Sequence, residues 1–223
     1  MEKKDIISKI VETIRSTFEQ DGFKLKMPNK FVKRNGDSLY IYEICVTNLK
    51  THFSLHLKLK LQNKSISTGV NNVLKKVLKN PGIKYPSNFS NKVIEDIFKG
   101  RTSNKDVYGL TDWRLFKEDE QTLNDFNERF SIWFSTFEKL ENRMNWQTEL
   151  LQSVDYAKSW FLLVDNDAYL IKHTDYVAMC LLKKLNNVKG VETKYKEIYN
   201  RMRALGQDTQ ELELFYRYLF QEN

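Results

Sequence analysis

The sequence predicts an α+β protein: an N-terminal antiparallel sheet of three to four strands packed with helices, followed by a C-terminal helical bundle. Three observations carry this expectation. Phe53, Leu55, Leu57, Leu59 and Leu61 alternate with His52, Ser54, His56, Lys58 and Lys60, a period of two that buries one strand face and wets the other. Upstream, Asn35-Gly36 is a strong hairpin dipeptide, because both residues tolerate the positive φ of a type I′ turn. From residue 146 onward, apolar residues recur at helical spacing in successive segments separated by short polar turns.

Taken in order, Ile6, Ile7, Ile10, Val11, Ile14 and Phe18 share one face of a helix over residues 3–20, which Gly22 closes. Strands are expected at 23–27 and 31–34, parted by a bulge or lying at an edge because Pro28 cannot donate to a ladder. Residues 47–51 make the second turn. With Asn48-Leu49 as its loop, Val46 pairs with Thr51, Ile44 with Phe53 and Tyr42 with Leu55. A short helix over 71–78 precedes a segment with two prolines and a glycine, 79–91, expected to be a long mobile loop or internal linker. Residues 92–99 form one or two helical turns, and 101–109 a polar connector. The stretch TDWRLF reads as a short strand. A long helix follows from Lys117, with Leu123, Phe126, Phe130, Trp133, Phe134, Phe137 and Leu140 on one face. Helices are expected at 146–163, 174–187, 191–205 and 208–221, the last opened by a capping box of Asp208 and Glu211. Gly190 and Gly206 stand near expected helix ends. The composition divides the chain into a basic region, 1–110, and a mainly helical region, 111–223, expected to pack together as one compact unit.

The formal net charge of +7 is unevenly spread, +11 over residues 1–110 and −4 over the remainder. A basic front half attracts an acidic protein, a nucleic acid or an anionic surface, although Lys-rich sequences also simply solvate their helices and sheet faces. No apolar run approaches the ~18 residues of a membrane span. The opening MEKKDIISKI has no apolar core of a secretory signal, and two cysteines are too few for a disulfide framework, so a reducing cytoplasm is expected.

The most chemically suggestive grouping lies on the polar sheet face. In the register above, Cys45 faces His52, with Glu43 diagonal to His52 and His56. A thiol beside an imidazole is the pattern of an activated nucleophile, and such residues also ligate zinc. Yet His52 and His56 stand about 13 Å apart along a strand, too far to share a metal, and no oxyanion donor or Gly-rich turn presents the thiol. A solvated face with an ordinary cysteine is the better account, and no metal or cofactor is expected. His173 and Cys180 lie two helical turns apart, about 10 Å, and form no dyad. Asp165-Asn166-Asp167 opens like a calcium loop, but Tyr176 stands where the closing Glu belongs, so it reads as an inter-helix turn. Glu118-Asp119-Glu120 reads as a helix first turn meeting the dipole. Glycine-rich phosphate loops, HExxH and G-x-S-x-G are absent from the sequence. Binding to an anionic partner would draw on Lys24, Lys26, Lys33, Arg34, His56, Lys58 and Lys60 on or near the sheet, with Lys75 and Lys76 beside it. Single-stranded nucleic acid also needs exposed aromatics, whereas Tyr40, Tyr42 and Phe53 fall on the buried face.

Gly22-Phe23-Lys24, Lys26, Phe31, Arg34-Asn35-Gly36-Asp37, the strand 53–61 and Asp112-Trp113-Arg114 together resemble the bacterial domain-of-unknown-function family 4304, over roughly residues 5–140. The resemblance implies a small cytoplasmic α+β domain and brings no catalytic residues with it. Orphan domains of this style serve as immunity, antitoxin-like or accessory proteins in bacterial conflict systems, an association by analogy. The expectation is therefore a non-enzymatic protein that captures an acidic partner protein. The alternative is nucleic-acid association through the basic half, and a Cys45/His52 hydrolase or transferase comes third.

Overall fold

A computed structural model of the chain describes residues 2–110 and 131–221. The predicted TDWRLF strand, the predicted helix from Lys117 through Phe130, and the motifs Asp112-Trp113-Arg114 and Glu118-Asp119-Glu120 lie outside the described residues. The chain folds into two compact units: Met1–Gln62 with Tyr108–Asp165, and Asn63–Val107 with Asn166–Asn223. Each draws on both halves of the sequence, so a division at residue 110 would cut through both.

The first unit is α+β. Helix α1 (Lys3–Gln20) buries Ile6, Ile10, Val11, Ile14 and Phe18. It ends in a Schellman turn, in which Phe23 N–H donates to the Phe18 carbonyl (3.0 Å) and Gly22 takes φ +80°. The Phe18 and Phe23 rings close over this turn at 4.8 Å. The sheet then runs β1 (Lys24–Met27), β2 (Lys30–Asn35), β3 (Ser38–Asn48) and β4 (Phe53–Asn63), each beside the next. As Pro28 predicts, β1 is an edge strand, and its register slips between Leu25 and Met27. Asn29 repairs the gap: its carbonyl accepts from Ile44 N–H and its side-chain amide donates to the Ile44 carbonyl, both at 2.9 Å.

The sheet has six strands rather than the predicted three to four. β5 (Asp106–Leu110) replaces a predicted polar connector. β6 (Phe134–Phe137) replaces the end of the predicted long helix, after a 3₁₀ turn at Ser131–Trp133. It pairs antiparallel with β4, Phe53 against Phe137 and His56 against Phe134. The edge of β4 away from β3 offers unpaired backbone groups, and satisfying them outweighs the helical spacing of Trp133, Phe134, Phe137 and Leu140.

Helix α4 (Trp146–Val164) lies against α1 and carries Leu150, Ser153, Val154, Ala157, Trp160, Phe161 and Val164 into the core. Phe18 stacks on Phe31 at 4.7 Å and meets Tyr42 edge-on at 4.9 Å, while Tyr40 stacks on Phe161 at 4.7 Å. Each such side chain contributes about 1.5–3 kcal/mol on leaving water. The buried Tyr42 hydroxyl is satisfied by Ser153 Oγ at 2.7 Å, which lets a polar tip sit inside an apolar layer.

The second unit is helical, apart from the first residues of β5. Helix α2 (Lys64–Leu78) is twice as long as predicted, because Asn63 caps it by accepting from Ile66 N–H at 3.2 Å. α3 spans Asn91–Thr102. Then come α5 (Asp167–His173), α6 (Tyr176–Lys184), α7 (Val188–Ala204) and α8 (Gln210–Phe220). α5 arises where a turn was expected, with Asn166 accepting from the N–H groups of Ala168 and Tyr169. The core of this unit gathers Val70, Leu74, Val77, Met179, Leu182, Val191, Ile198, Leu212, Phe215 and Leu219.

Residues 79–90 lie wholly within this unit and join α2 to α3. Asn80 pins the loop, donating to the Tyr218 hydroxyl (2.8 Å) and accepting from Gly82 N–H (2.8 Å), and Ile83 packs on the core. The predicted capping box does not form: Thr209 is the N-cap of α8, and Glu211 accepts from Arg101 through both oxygens at 2.6 Å and from the Tyr176 hydroxyl at 2.7 Å.

Candidate functional site

The sheet of the first unit has one face buried under α1 and α4 and one part-exposed face. The ladder decides which side chain goes where. Phe31 pairs with Tyr42, Lys33 with Tyr40 and Asn35 with Ser38, all toward the core. Their neighbours therefore point the other way: Lys30 beside Glu43, Val32 beside Ile41, and Arg34 beside Leu39, with Lys24 beside Val32 on the edge strand. On β4 the same face carries Ser54, His56, Lys58 and Lys60, because the alternating leucines are buried. Five cations, Lys24, Lys30, Arg34, Lys58 and Lys60, thus share a face with one carboxylate among the described residues of the sheet.

That carboxylate is Glu43. It bridges three strands through Lys30 on β2 and Lys60 on β4, each at 3.0 Å, with its side chain 13% exposed. Burial pushes its pKa up, but hydrogen bonds from Lys30 and Lys60 outweigh burial and hold it below the usual carboxylate range. Glu43 is a fixed anion between two ammonium groups, not a proton carrier.

The predicted Cys45–His52 pairing is not built. Asn35 pairs with Ser38, so the first hairpin loop is Gly36-Asp37, with Gly36 at φ +55° and Asn35 in the strand. The second turn also moves. Leu49 N–H donates to the His52 carbonyl at 2.8 Å, which leaves Lys50-Thr51 as the loop, with Lys50 at φ +66°. Counted from that closing pair, His56 rather than His52 stands across from Cys45, and the imidazole of His52 bonds Thr51 Oγ1 at 3.0 Å. The change is an even number of residues, so the buried and wet faces survive it while every cross-strand partner changes. The Cys45 thiol is pushed up by burial and by Glu43 beside it, the opposite of what a thiolate nucleophile needs. Among the described residues no three of His, Cys, Asp and Glu converge on a metal position, and no helix is long and apolar enough to cross a membrane.

The candidate binding residues divide. Lys24, Arg34, His56, Lys58 and Lys60 share the part-exposed face. Lys33 turns to the core side, with its ammonium 5.7 Å from the centre of the Phe23 ring. Lys26 sits at the register slip of β1. Lys75 and Lys76 lie on α2, in the last turn of a helix of the second unit. Two members of the face escaped sequence reasoning. Lys30 was hidden by the turn, since counting back from an Asn35-Gly36 loop sets it opposite Ile41, and only the Gly36-Asp37 loop puts it beside Glu43. Phe134 was hidden by its helical spacing; on β6 it stands 49% exposed and meets His56 edge-on at 5.4 Å.

Compared with known proteins, the chain matches no family model, no curated protein and no solved structure.

Proposed function

We propose that the protein is a non-enzymatic binding module whose part-exposed sheet face captures an acidic partner protein. The observation that carries this reading is the basic character of the face: among the described residues of the sheet, Lys24, Arg34 and Lys58 share it with the Lys30–Glu43–Lys60 bridge. Val32 and Leu39 lie half-buried among the cations, and Phe134 adds an exposed aromatic, the mixture of apolar and charged groups that protein interfaces use. The resemblance to the domain-of-unknown-function family 4304 supports a role as a cytoplasmic immunity or accessory protein of a bacterial conflict system. The test is a pull-down from the native host with the wild-type chain and with an Arg34→Glu/Lys58→Glu variant. The reading requires a stable acidic partner that the wild type retains and the variant loses. A partner held equally by both, or none at all, overturns it.

One observation favours a second reading, nucleic-acid association. Phe134 and His56 put an aromatic pair on the cationic face, the stacking element that the buried Tyr40, Tyr42 and Phe53 cannot supply. Single-stranded RNA or DNA binding that weakens steeply with salt and is lost in Phe134→Ala would establish it in place of the first.

A further inference from the structure

A groove of about 410 Å³ opens in the second unit between α2, α6 and the end of α8. That is within the size range of small-molecule sites, roughly 300–1,000 Å³. Lys76, Lys183 and Lys184 line it together with the amides of Asn72 and Asn186, and no Asp or Glu does among the described residues. Among the described residues none of the three ammonium groups has a carboxylate partner. Lys183 donates to the Leu219 carbonyl with its ammonium 5.8 Å from the centre of the Phe220 ring, and among the described residues Lys184 reaches Ser65 Oγ alone, at 3.4 Å. Lys76 has no partner among the described residues. An ammonium carries three donors, so Lys183 and Lys184 each keep two N–H groups for another ligand. Helix-end lysines ordinarily meet carbonyl ends, which accounts for Lys183 but not for Lys76 and Lys184 lining the same concavity.

A second, independent feature lies in the wall. Gly69 is in the middle of α2, where glycine costs about 1 kcal/mol relative to alanine. Its φ is ordinary, and a Cβ built there would meet nothing within 4 Å. Neither backbone conformation nor close packing requires glycine, and the space a side chain would take is part of the groove. The missing side chain leaves room for something that is not this chain.

We propose that this groove binds a small phosphate-bearing anion, with Lys76, Lys183 and Lys184 receiving the phosphate oxygens and Asn72 and Asn186 donating beside them. Charge count selects a multiply charged anion, since a monoanion would leave most of the positive charge uncompensated. The site is separate from the sheet face and stands whether or not that face binds a protein.

The experiment is isothermal titration of the full chain with inorganic phosphate, pyrophosphate and adenosine 5′-diphosphate at matched ionic strength, with sodium chloride as the blank. Binding is expected for at least one of the three probes. Pyrophosphate alone marks an inorganic phosphate site, and the nucleotide alone marks one that also uses the walls. Lys76→Gln should weaken binding about tenfold. Gly69→Leu should abolish it while leaving the unliganded melting temperature unchanged or higher, which separates a filled groove from a damaged fold. No heat with any probe, or binding unchanged in both variants, overturns the proposal.

Discussion

Asp165 ends α4 and holds the β2–β3 hairpin to it. Its carboxylate accepts from Ser38 Oγ (2.6 Å), the Tyr40 hydroxyl (2.7 Å) and Asn35 Nδ2 (3.1 Å). Ser38 and Tyr40 are 4% and 3% exposed, so water cannot replace the acceptor freely. A hydrogen bond to a charged acceptor contributes about 1.5–3 kcal/mol, and a buried donor left alone costs a comparable amount. Because the three donors share one acceptor and Asn35 is exposed, the contributions do not add, and Asp165→Ala is expected to cost about 2–4 kcal/mol. Asp165→Asn keeps an acceptor and should cost roughly half that. The assay is urea unfolding followed by tryptophan fluorescence. The described tryptophans, Trp133, Trp146 and Trp160, all belong to the first unit, so their signal follows its unfolding. With a slope of about 1–3 kcal/mol per molar, the Asp165→Ala midpoint should fall by roughly 1–2 M. A cycle with Tyr40→Phe should show a coupling of about 1 kcal/mol, since Tyr40 loses its own bond in either single variant. A midpoint within about 0.3 M of wild type, or Asp165 and Tyr40 effects that simply add, refutes this reasoning.

Three further outcomes follow from the same structure. Burial pushes the Glu211 carboxyl up, but Arg101 and Tyr176 more than offset this and hold it below the ordinary range. Its stabilisation is therefore complete above the unfolded carboxylate pKa of about 4.3 and is lost as pH falls through the lower folded value. Glu211→Gln should cost roughly 1–3 kcal/mol at pH 7, discounted because the Arg101 side chain is 38% exposed. Near-ultraviolet circular dichroism should show that gap closing only under acid, and a gap unchanged at pH 3 contradicts the ion pair's role. Burial and Glu43 raise the Cys45 thiol, and burial pushes Cys180 up to about 12. Iodoacetamide at pH 7.5 should label both at least about tenfold more slowly in the native chain than in urea, and equal rates would show that the thiols are not shielded. Leu57→Ala, at a position 1% exposed on the buried sheet face, should cost about 2–5 kcal/mol by urea unfolding, and a cost below about 1 kcal/mol would remove Leu57 from the core.

Local chemistry was legible wherever it was strong. The α1 stripe, its Gly22 terminus, the edge position announced by Pro28 and the alternation from Phe53 to Leu61 all reappear in the fold, because burial of a periodic apolar face is decided by the chain's own repeat. The division of that strand into Leu-in and Lys-out is what puts Lys58 and Lys60 on the part-exposed face. Turn position was not legible. Asn35-Gly36 and Asn48-Leu49 both suit tight turns, yet the loops are Gly36-Asp37 and Lys50-Thr51, and a turn displaced by one or two residues re-pairs an entire ladder. That is why Cys45 lost His52, and why Glu43 bridges Lys30 and Lys60.

Phe134 makes the limit plain, since its spacing fits a helix as well as a strand and only the open edge of β4 resolves the ambiguity. Asp165, read as part of a turn, serves three donors from a hairpin some 130 residues earlier, and Lys76 borders a groove with lysines more than 100 residues later. The sequence by itself determined the α+β class, the buried faces and the basic bias of the first half, each a property of short windows and composition. Tertiary structure decided the strand partners, the cationic face around Glu43 and the groove beside Gly69, because convergence of distant side chains depends on register and helix packing, which no local pattern encodes.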